Sequence, residues 1–272
     1  MEELIISAER EEKNYWRDLW SYRELLFFLA WRDILVRYKQ TTVGVAWAII
    51  VPLINIVIVT VIFQKVAGLP SNGIPSFLFV GGGTLLWQLF ANAFSGSGNS
   101  IIGNSNLISK VYFPRLLVTA APLAVGLVDY TISLAILGVM MVWYQFIPDF
   151  RILAAPLFII LALTASLGAG LWIAALTVKY RDFRFIAPFI VQAGMLISPL
   201  GYSSDRFPGF LRLLYSMNPM VGAIDGFRWA VFRGAVPLYW PELIISICTS
   251  ALLLTTAVIH FRKTEKSFAD II

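Results

Sequence analysis

Of 272 residues, 58% are hydrophobic and 14% are charged, and the mean hydropathy is +0.77. A soluble domain carries about 25% charged residues, so the deficit excludes a soluble core and places the chain in a membrane. The net charge of +5 comes mostly from cations flanking apolar runs. That placement points to anionic headgroups and topology rather than to nucleic acid. A single Cys248 excludes a disulfide within one chain, and a single His260 excludes a histidine cluster for a metal.

Residues 1–22 mix acids and bases (EEKNYWRDLW) with no apolar run near the start. No cleaved signal peptide is expected, and the first span is expected to act as its own signal. The stretch SYRELLFFLAWRDILVRYK, positions 21–39, puts Leu25, Phe28, Leu29, Ile34 and Leu35 largely on one side of a helix. Arg23, Arg32, Arg37 and Lys39 fall mostly elsewhere, so a helix lying in the membrane surface is expected. Positions 40–64 then carry no charge. As a helix they reach ~37 Å at ~1.5 Å per residue, more than the roughly 30 Å of a bilayer core. Pro52 is tolerated inside this first span if neighbours satisfy the freed carbonyl.

Five more spans follow: about Phe77–Phe94, Leu116–Phe146, Ile152–Val178, Phe185–Tyr202 and Leu243–Ile259. The second holds Gly81, Gly82 and Gly83, small residues that allow close helix approach. Between the second and third, positions 99–115 are longer than a turn requires, and they alternate polar Asn99, Asn104, Asn106, Lys110 and Arg115 with apolar residues. A short helix offered to a partner is expected there. Positions 203–240 are too interrupted to cross and read as two short amphipathic helices, about Gly209–Met217 and Met220–Phe232, broken at Asn218-Pro219. No internal repeat or low-complexity tract is present. The fold class is all-α: one polytopic transmembrane domain over 1–272, with a surface segment 1–40, a six-span core 41–261 and a tail 262–272. Six spans put both termini on one side, which then holds 15 of the 21 Lys and Arg, so both termini are expected in the cytoplasm.

Little catalytic chemistry is legible. No His, Cys and carboxylate cluster suits a metal. Gly98 and Gly103 have phosphate-loop spacing, but Asn104-Ser105 follows where Lys-Ser or Lys-Thr is required, so any ATPase belongs to another chain. Asp129 is the one acid deep in a span, a functional candidate by default. Other ionisable groups at its depth are not apparent, and Asn55 is a candidate partner. Trp47, Trp87 and Phe90 lie in or near spans, where aromatic rings either meet lipid or stack on sugars.

Several landmarks fall in a fixed order over roughly residues 23–262. They are Arg32-Asp33, Arg37-Tyr38-Lys39, Gly44 with Trp47, Pro52-Leu53, Asn106-Leu107-Ile108 with Lys110, and Phe113-Pro114-Arg115. Lys179-Tyr180-Arg181-Asp182, Ser198-Pro199 with Tyr202, Asn218-Pro219 and Arg228 follow. The ordered set resembles the permease subunits of polysaccharide-exporting ABC transporters, which move O-antigen, capsular polysaccharide and teichoic acid. Thr42-Val43 and Leu200-Gly201 depart from the usual filler residues.

The resemblance implies a half-transporter of the bacterial inner membrane. Two copies pair, each bound to a separately encoded ATPase subunit that holds the ATP and Mg; this chain itself carries no cofactor or metal and no catalytic residue. Asn104, Asn106, Leu107, Lys110 and Arg115 would seat on the ATPase. Arg32, Arg37, Tyr38 and Lys39 would mark where the lipid-linked glycan enters. Spans one, two and five would line the channel, with Trp47, Trp87, Phe90 and Tyr202 as candidate path residues. The 209–232 helices would gate the exit through Tyr215, Phe227 and Arg228. A small-molecule or lipid exporter of the same superfamily is the alternative. A membrane-embedded glycan transferase would need a catalytic cluster that is not visible.

Overall fold

The computed structural model describes residues 11–39, 44–111, 113–265 and 268. The first ten residues, the Thr42-Val43 departure and most of the tail beyond Glu265 lie outside them. Every element among the described residues is helical. Helices α1 (Glu11–Ser21) and α2 (Arg23–Lys39) precede α3 (Gly44–Thr60), which loosens into a π-helix at Val61–Val66. Next come α4 (Ser76–Gly103), the single turn α5 (Ser105–Ile108), and α6 (Leu116–Trp143). A 3-10 turn at Phe150–Ala154 leads into α7 (Ala155–Lys179), followed by α8 (Phe183–Ile197). The chain ends with α9 (Gly209–Tyr215), α10 (Pro219–Val231) and α11 (Trp240–Glu265).

Five helical stretches are long and apolar enough to cross a membrane: Ala46–Val66, Ser76–Gly103, Leu116–Trp143, Phe150–Lys179 and Trp240–Glu265. Of these, α4 is the central post, with 78% of its most apolar stretch buried against 22% for the stretch that includes α3. Its small residues explain this: at Ser97 and Gly98 its backbone comes close to Gly170 and Ile173 of α7. Two apolar cores flank this post. One gathers Phe79, Leu86, Phe158, Ile224 and Phe227. The other, at the end carrying α5, gathers Leu29, Ile101, Leu116, Leu171 and Phe261.

The fifth expected span differs from its sequence reading. It runs only from Phe183 to Ile197, 15 residues, or ~22 Å at ~1.5 Å per residue. Ser198 adopts ψ 153° ahead of Pro199, as a residue preceding proline must, and the chain continues without a helix through Tyr202. Ser198, Pro199, Leu200 and Gly201 are nevertheless buried. Non-helical backbone inside an apolar structure requires partners for its carbonyls.

Arg228 supplies them. Its side chain is wholly buried. Nη1 donates to the carbonyls of Pro199 at 2.6 Å and Tyr202 at 2.8 Å, Nη2 to Leu200 at 2.5 Å, and Nε to Phe79 of α4 at 3.1 Å. The cation lies 3.8 Å from the Phe79 ring centre and 3.3 Å from Asp225 Oδ1. Burial pulls its pKa down to about 10, with Asp225 opposing, so it stays charged at neutral pH. Gly83 is required beside it, because a Cβ there would sit 2.6 Å from Nη2. On the other flank Gln64 of the π-turn donates to the Gly201 carbonyl at 2.9 Å. A side chain at Gly201 would collide with Phe63, 2.3 Å from the ideal Cβ.

Helix α10 starts where the sequence places it. Asn218 accepts the Met220 N–H at 3.0 Å and Pro219 takes the first position. Contrary to the amphipathic helix expected from its pattern, Met220 to Arg228 are all buried. Small Gly222, Ala223 and Gly226 let α7 and α11 close over it on the sides where Arg228 does not point. A second ionic set fixes its approach: Asp225 accepts the Ser204 N–H at 2.9 Å, and Glu242 accepts from Ser204 at 2.6 Å and Arg212 at 2.8 Å.

Replacing Arg228 by Met takes a donor from four carbonyls and from Asp225 Oδ1. The expected loss is about 3–5 kcal/mol, the usual consequence of removing one partner of a buried ion pair. Detergent melting of the purified protein measures it, with Arg228→Lys falling between, since one ammonium cannot span the same acceptors. Equal melting of Arg228→Met and wild type would refute the assignment.

Candidate functional site

The candidate residues gather at the end of the bundle carrying α5. Helix α4 continues to Gly103, further than expected, and then breaks at Asn104, whose side chain donates to the Ser100 carbonyl at 2.8 Å. The expected partner-facing helix is therefore only the four-residue α5 and the turn that follows it. Ile108 and Phe113 are buried in the adjacent core and Leu107 packs against it. Asn106, Lys110 and Val111 are exposed. Of the five residues proposed for docking, Asn106 and Lys110 face outward and Leu107 is half-buried.

The remaining two are held by the protein itself. Arg32 of α2 donates to the Asn104 side-chain oxygen at 2.7 Å, while the same guanidinium pairs with Asp33 at 2.7 Å. Arg115 turns inward: its N–H reaches Glu265 Oε1 at 2.6 Å, and its guanidinium donates to the Glu265 carbonyl. Thus the turn from α4 to α6 is tied at one end to α2 and at the other to the end of α11.

Helix α2 carries apolar residues on two faces, not one. Leu29 and Ala30 are buried and Leu25 and Leu26 pack with them against α6. Phe27, Phe28, Trp31 and Leu35 point away from the bundle, with the Phe27 and Trp31 rings stacked at 6.4 Å. So Phe28 and Leu35 do not share the face of Leu29. A helix wedged between a protein core and an apolar exterior has no uniformly polar side, which explains the split.

Its far end settles the partner of Asp129. Arg37 Nη2 lies 2.9 Å from Asp129 Oδ2, and the Tyr38 hydroxyl donates to Oδ1. Asn55 is not the partner. Burial, then the hydrogen bond and charge of Asp129, push the Tyr38 phenol up to about 12, so it remains a donor. Lys39 is exposed beside them. The four surface-helix candidates therefore have distinct partners: Arg32 holds the α5 turn, Arg37 and Tyr38 hold α6, and Lys39 faces outward. Helix periodicity could not reveal this, because both partners are remote in sequence. An uncompensated acid in a span opposite an Arg-Tyr-Lys end is the signal that could have suggested it.

The proposed path residues do not meet in one place. Trp87 and Phe90 are buried on α4 with ring centres 5.0 Å apart, and Trp87 rests against Gly194 of α8. Trp47 is 55% exposed on α3. Tyr202 joins Tyr215, hydroxyl to hydroxyl at 3.0 Å, and both bond the Ile197 carbonyl. Of the exit residues, Phe227 and Arg228 are wholly buried. Two hollows in the structure are surface grooves, one along Phe27, Phe28 and Trp31, the other between Leu53, Phe77 and Trp143. Among the described residues, no group of three His, Cys, Asp or Glu could hold a metal.

Long apolar helices around a buried post, with a surface helix and a short turn tied to each other at one end, define a multi-pass α-helical membrane protein. Residues 24–232 match the ABC-2 type transporter family, and the chain belongs to that family. It is 25% identical over 256 residues to the O-antigen export system permease protein RfbA of Myxococcus xanthus, covering 93% of this chain and 97% of that one. It is 24% identical to an RfbA of Klebsiella pneumoniae over 92% of this chain and 95% of the relative. The capsule polysaccharide export inner-membrane protein CtrC of Neisseria meningitidis serogroup A is 23% identical, with 90% of this chain and 93% of the relative covered.

Removing the Asp129 carboxylate should release the end of α2. With Asp129→Ala, a spin label at Leu35→Cys is expected to gain mobility, since a charge-assisted contact of about 1.5–3 kcal/mol is lost, discounted here because Arg37 is half-exposed. The label's lineshape checks this; an identical lineshape in both backgrounds would count against the tether.

Proposed function

We propose that this chain is the membrane-spanning subunit of an ATP-driven exporter that carries a lipid-linked polysaccharide of O-antigen, capsule or teichoic-acid type across the bacterial inner membrane. The observation that carries the proposal is the end-to-end match to permeases named for O-antigen and capsule export, which leaves no large part of the chain unaccounted for. It catalyses no covalent step and holds no cofactor. ATP and Mg bind a separate ATPase subunit, two copies of which serve two copies of this chain. Six crossings, with α8 and the 198–202 stretch forming the fifth, put both termini in the cytoplasm.

The geometry supports a division of labour. Asn106 and Lys110 are the exposed side chains through which α5 and its turn seat on the ATPase. The aromatic outer face of α2, Phe27, Phe28 and Trp31 with Arg23 nearby, suits the apolar tail and anionic head of a lipid carrier. Helices α3 and α8 keep broad apolar faces exposed, Trp47 and Val57 on one, Phe185 and Phe189 on the other. A second copy covers such faces and leaves a conduit between the two. Since Phe227 and Arg228 are fixed in the interior, neither swings to open an exit, which leaves half-buried Tyr215 as the exit candidate able to move.

Deleting the gene tests the substrate: surface glycan should fall to background while glycan accumulates inside, and unchanged surface staining would remove the proposal. The docking face is tested separately with Asn106→Cys in a Cys248→Ser background, because Cys248 is itself exposed. Maleimide is expected to label it in inverted vesicles, and to lose access when the ATPase subunit is co-expressed. Labelling from the outside of intact cells would overturn the orientation.

A further inference from the structure

Three remote parts of the chain converge on one carboxylate. Glu265, in the last turn of α11, is 150 residues from Arg115 and 250 from Tyr15 in sequence. Its Oε1 accepts the Arg115 N–H at 2.6 Å, and Oε2 accepts the Tyr15 hydroxyl at 3.1 Å. Arg115 sits at the N-cap of α6 and makes no side-chain cap of its own. The first N–H groups of a helix lack partners within the helix and favour a negative charge, so Glu265 supplies from α11 the cap that α6 lacks. Aromatic and basic side chains crowd this half-buried contact. Arg262 lies 4.4 Å from the Tyr15 ring centre, Phe268 packs 5.3 Å from Phe261, and the Arg115 guanidinium lies 5.7 Å from the Phe268 ring.

Arg115 is also where the α4–α6 turn ends. The turn is held at Asn104 by Arg32 and at Arg115 by Glu265, and between these two pins Asn106 and Lys110 face outward. We propose that Glu265 is a positioning residue for ATP-driven transport: by fixing Arg115 to α11 it keeps the docking turn rigid, so that displacement of the turn moves α6 and α11 instead of being absorbed locally. Tyr15 extends the same hold to α1. Burial, with the neighbouring carboxylate adding to it, pushes the Tyr15 phenol well above its ordinary value, so it stays a donor throughout the physiological range. The inference rests on the reading that α5 and its turn seat an ATPase.

The experiment reads ATP hydrolysed per glycan exported, in vesicles holding the whole complex, with the amount of folded permease measured alongside. Glu265→Ala removes both acceptor oxygens and is expected to raise the ratio about tenfold, the scale of one lost charge-assisted bond, at wild-type permease levels. Glu265→Gln keeps an oxygen for the Arg115 N–H and should restore most of the coupling. Tyr15→Phe, the milder change, should raise the ratio roughly two- to fivefold, as losing one neutral bond would, and gives the answer even if Glu265→Ala fails to fold. Lys110→Glu reports on docking itself. Should Lys110→Glu uncouple while Glu265→Ala and Tyr15→Phe keep the wild-type ratio, the inference is overturned and docking stands. If Lys110→Glu also keeps that ratio, the docking reading fails and the inference with it. A Glu265→Ala defect that merely tracks lost protein, with an unchanged ratio in it and in Tyr15→Phe, makes Glu265 an ordinary stability residue and overturns the inference.

Discussion

A buried guanidinium holds together the end of this protein remote from α5. In an apolar surrounding each unpaired carbonyl is worth several kcal/mol of destabilisation, and the stretch after α8 presents Pro199, Leu200 and Tyr202 in succession. The forked, always-charged side chain of Arg228 can bond all three and still reach Phe79 on α4. A lysine has neither the planar spread nor the number of donors. Because that demand is met, the short helix α8 can be continued by buried irregular backbone, and α10 can be buried from Met220 to Arg228. The glycines around it follow from this: Gly83 leaves room for the guanidinium, and Gly201 for the ring of Phe63. Sequence, local backbone and packing are here one problem with one solution.

The opposite end uses exposed or half-exposed polar pairs instead. Arg32 to Asn104, Arg37 and Tyr38 to Asp129, and Glu265 to Arg115 each join elements far apart in the chain. Solvent screens such contacts, so each contributes less than the Arg228 set. That difference suits the two ends. Pairs at the α5 end can be exchanged with water one at a time, whereas the α10 wedge is held by bonds that cannot be given up singly without leaving charge stranded in the interior.

Most of the architecture was legible in the residues because the bilayer forces a simple code: long uncharged runs, cations at their ends, proline and asparagine at breaks. The spans of α3, α4, α6, α7 and α11 and the Asn218-Pro219 start of α10 could be read this way. What could not be read has a common physical cause, namely contact between distant segments. The end of α8 at Ile197 depends on Arg228, far along the chain on α10. The second apolar face of α2 exists because α6 lies against it. Asp129 looked solitary because its partners come from α2, and Arg115 looked outward-facing because Glu265 is 150 residues away. Periodicity reports which face of a helix is apolar; it carries no information on what covers that face.

A glycan is hydrophilic, and the interior described here is not. Phe79, Leu86, Trp87 and Phe90 of α4, with Phe158 and Ile224, fill one core, and Leu29, Ile101, Leu171 and Phe261 fill the other. Opening a path through either would strip apolar side chains of their contacts at roughly 25 cal/mol per Å² exposed, repeated for every sugar that passes. The burial gradient offers an alternative with no such penalty. α4 is enclosed, whereas α3 is largely unpacked and only Ala187 of α8 is buried. If the conduit lies between two chains along those faces, transport separates elements that one chain leaves loosely held and never disturbs the α4 post. Under that arrangement the tethered α2 and the pinned α5 turn sit on the fixed part of each half, and the work of ATP goes into the relative movement of two bundles whose interiors stay closed.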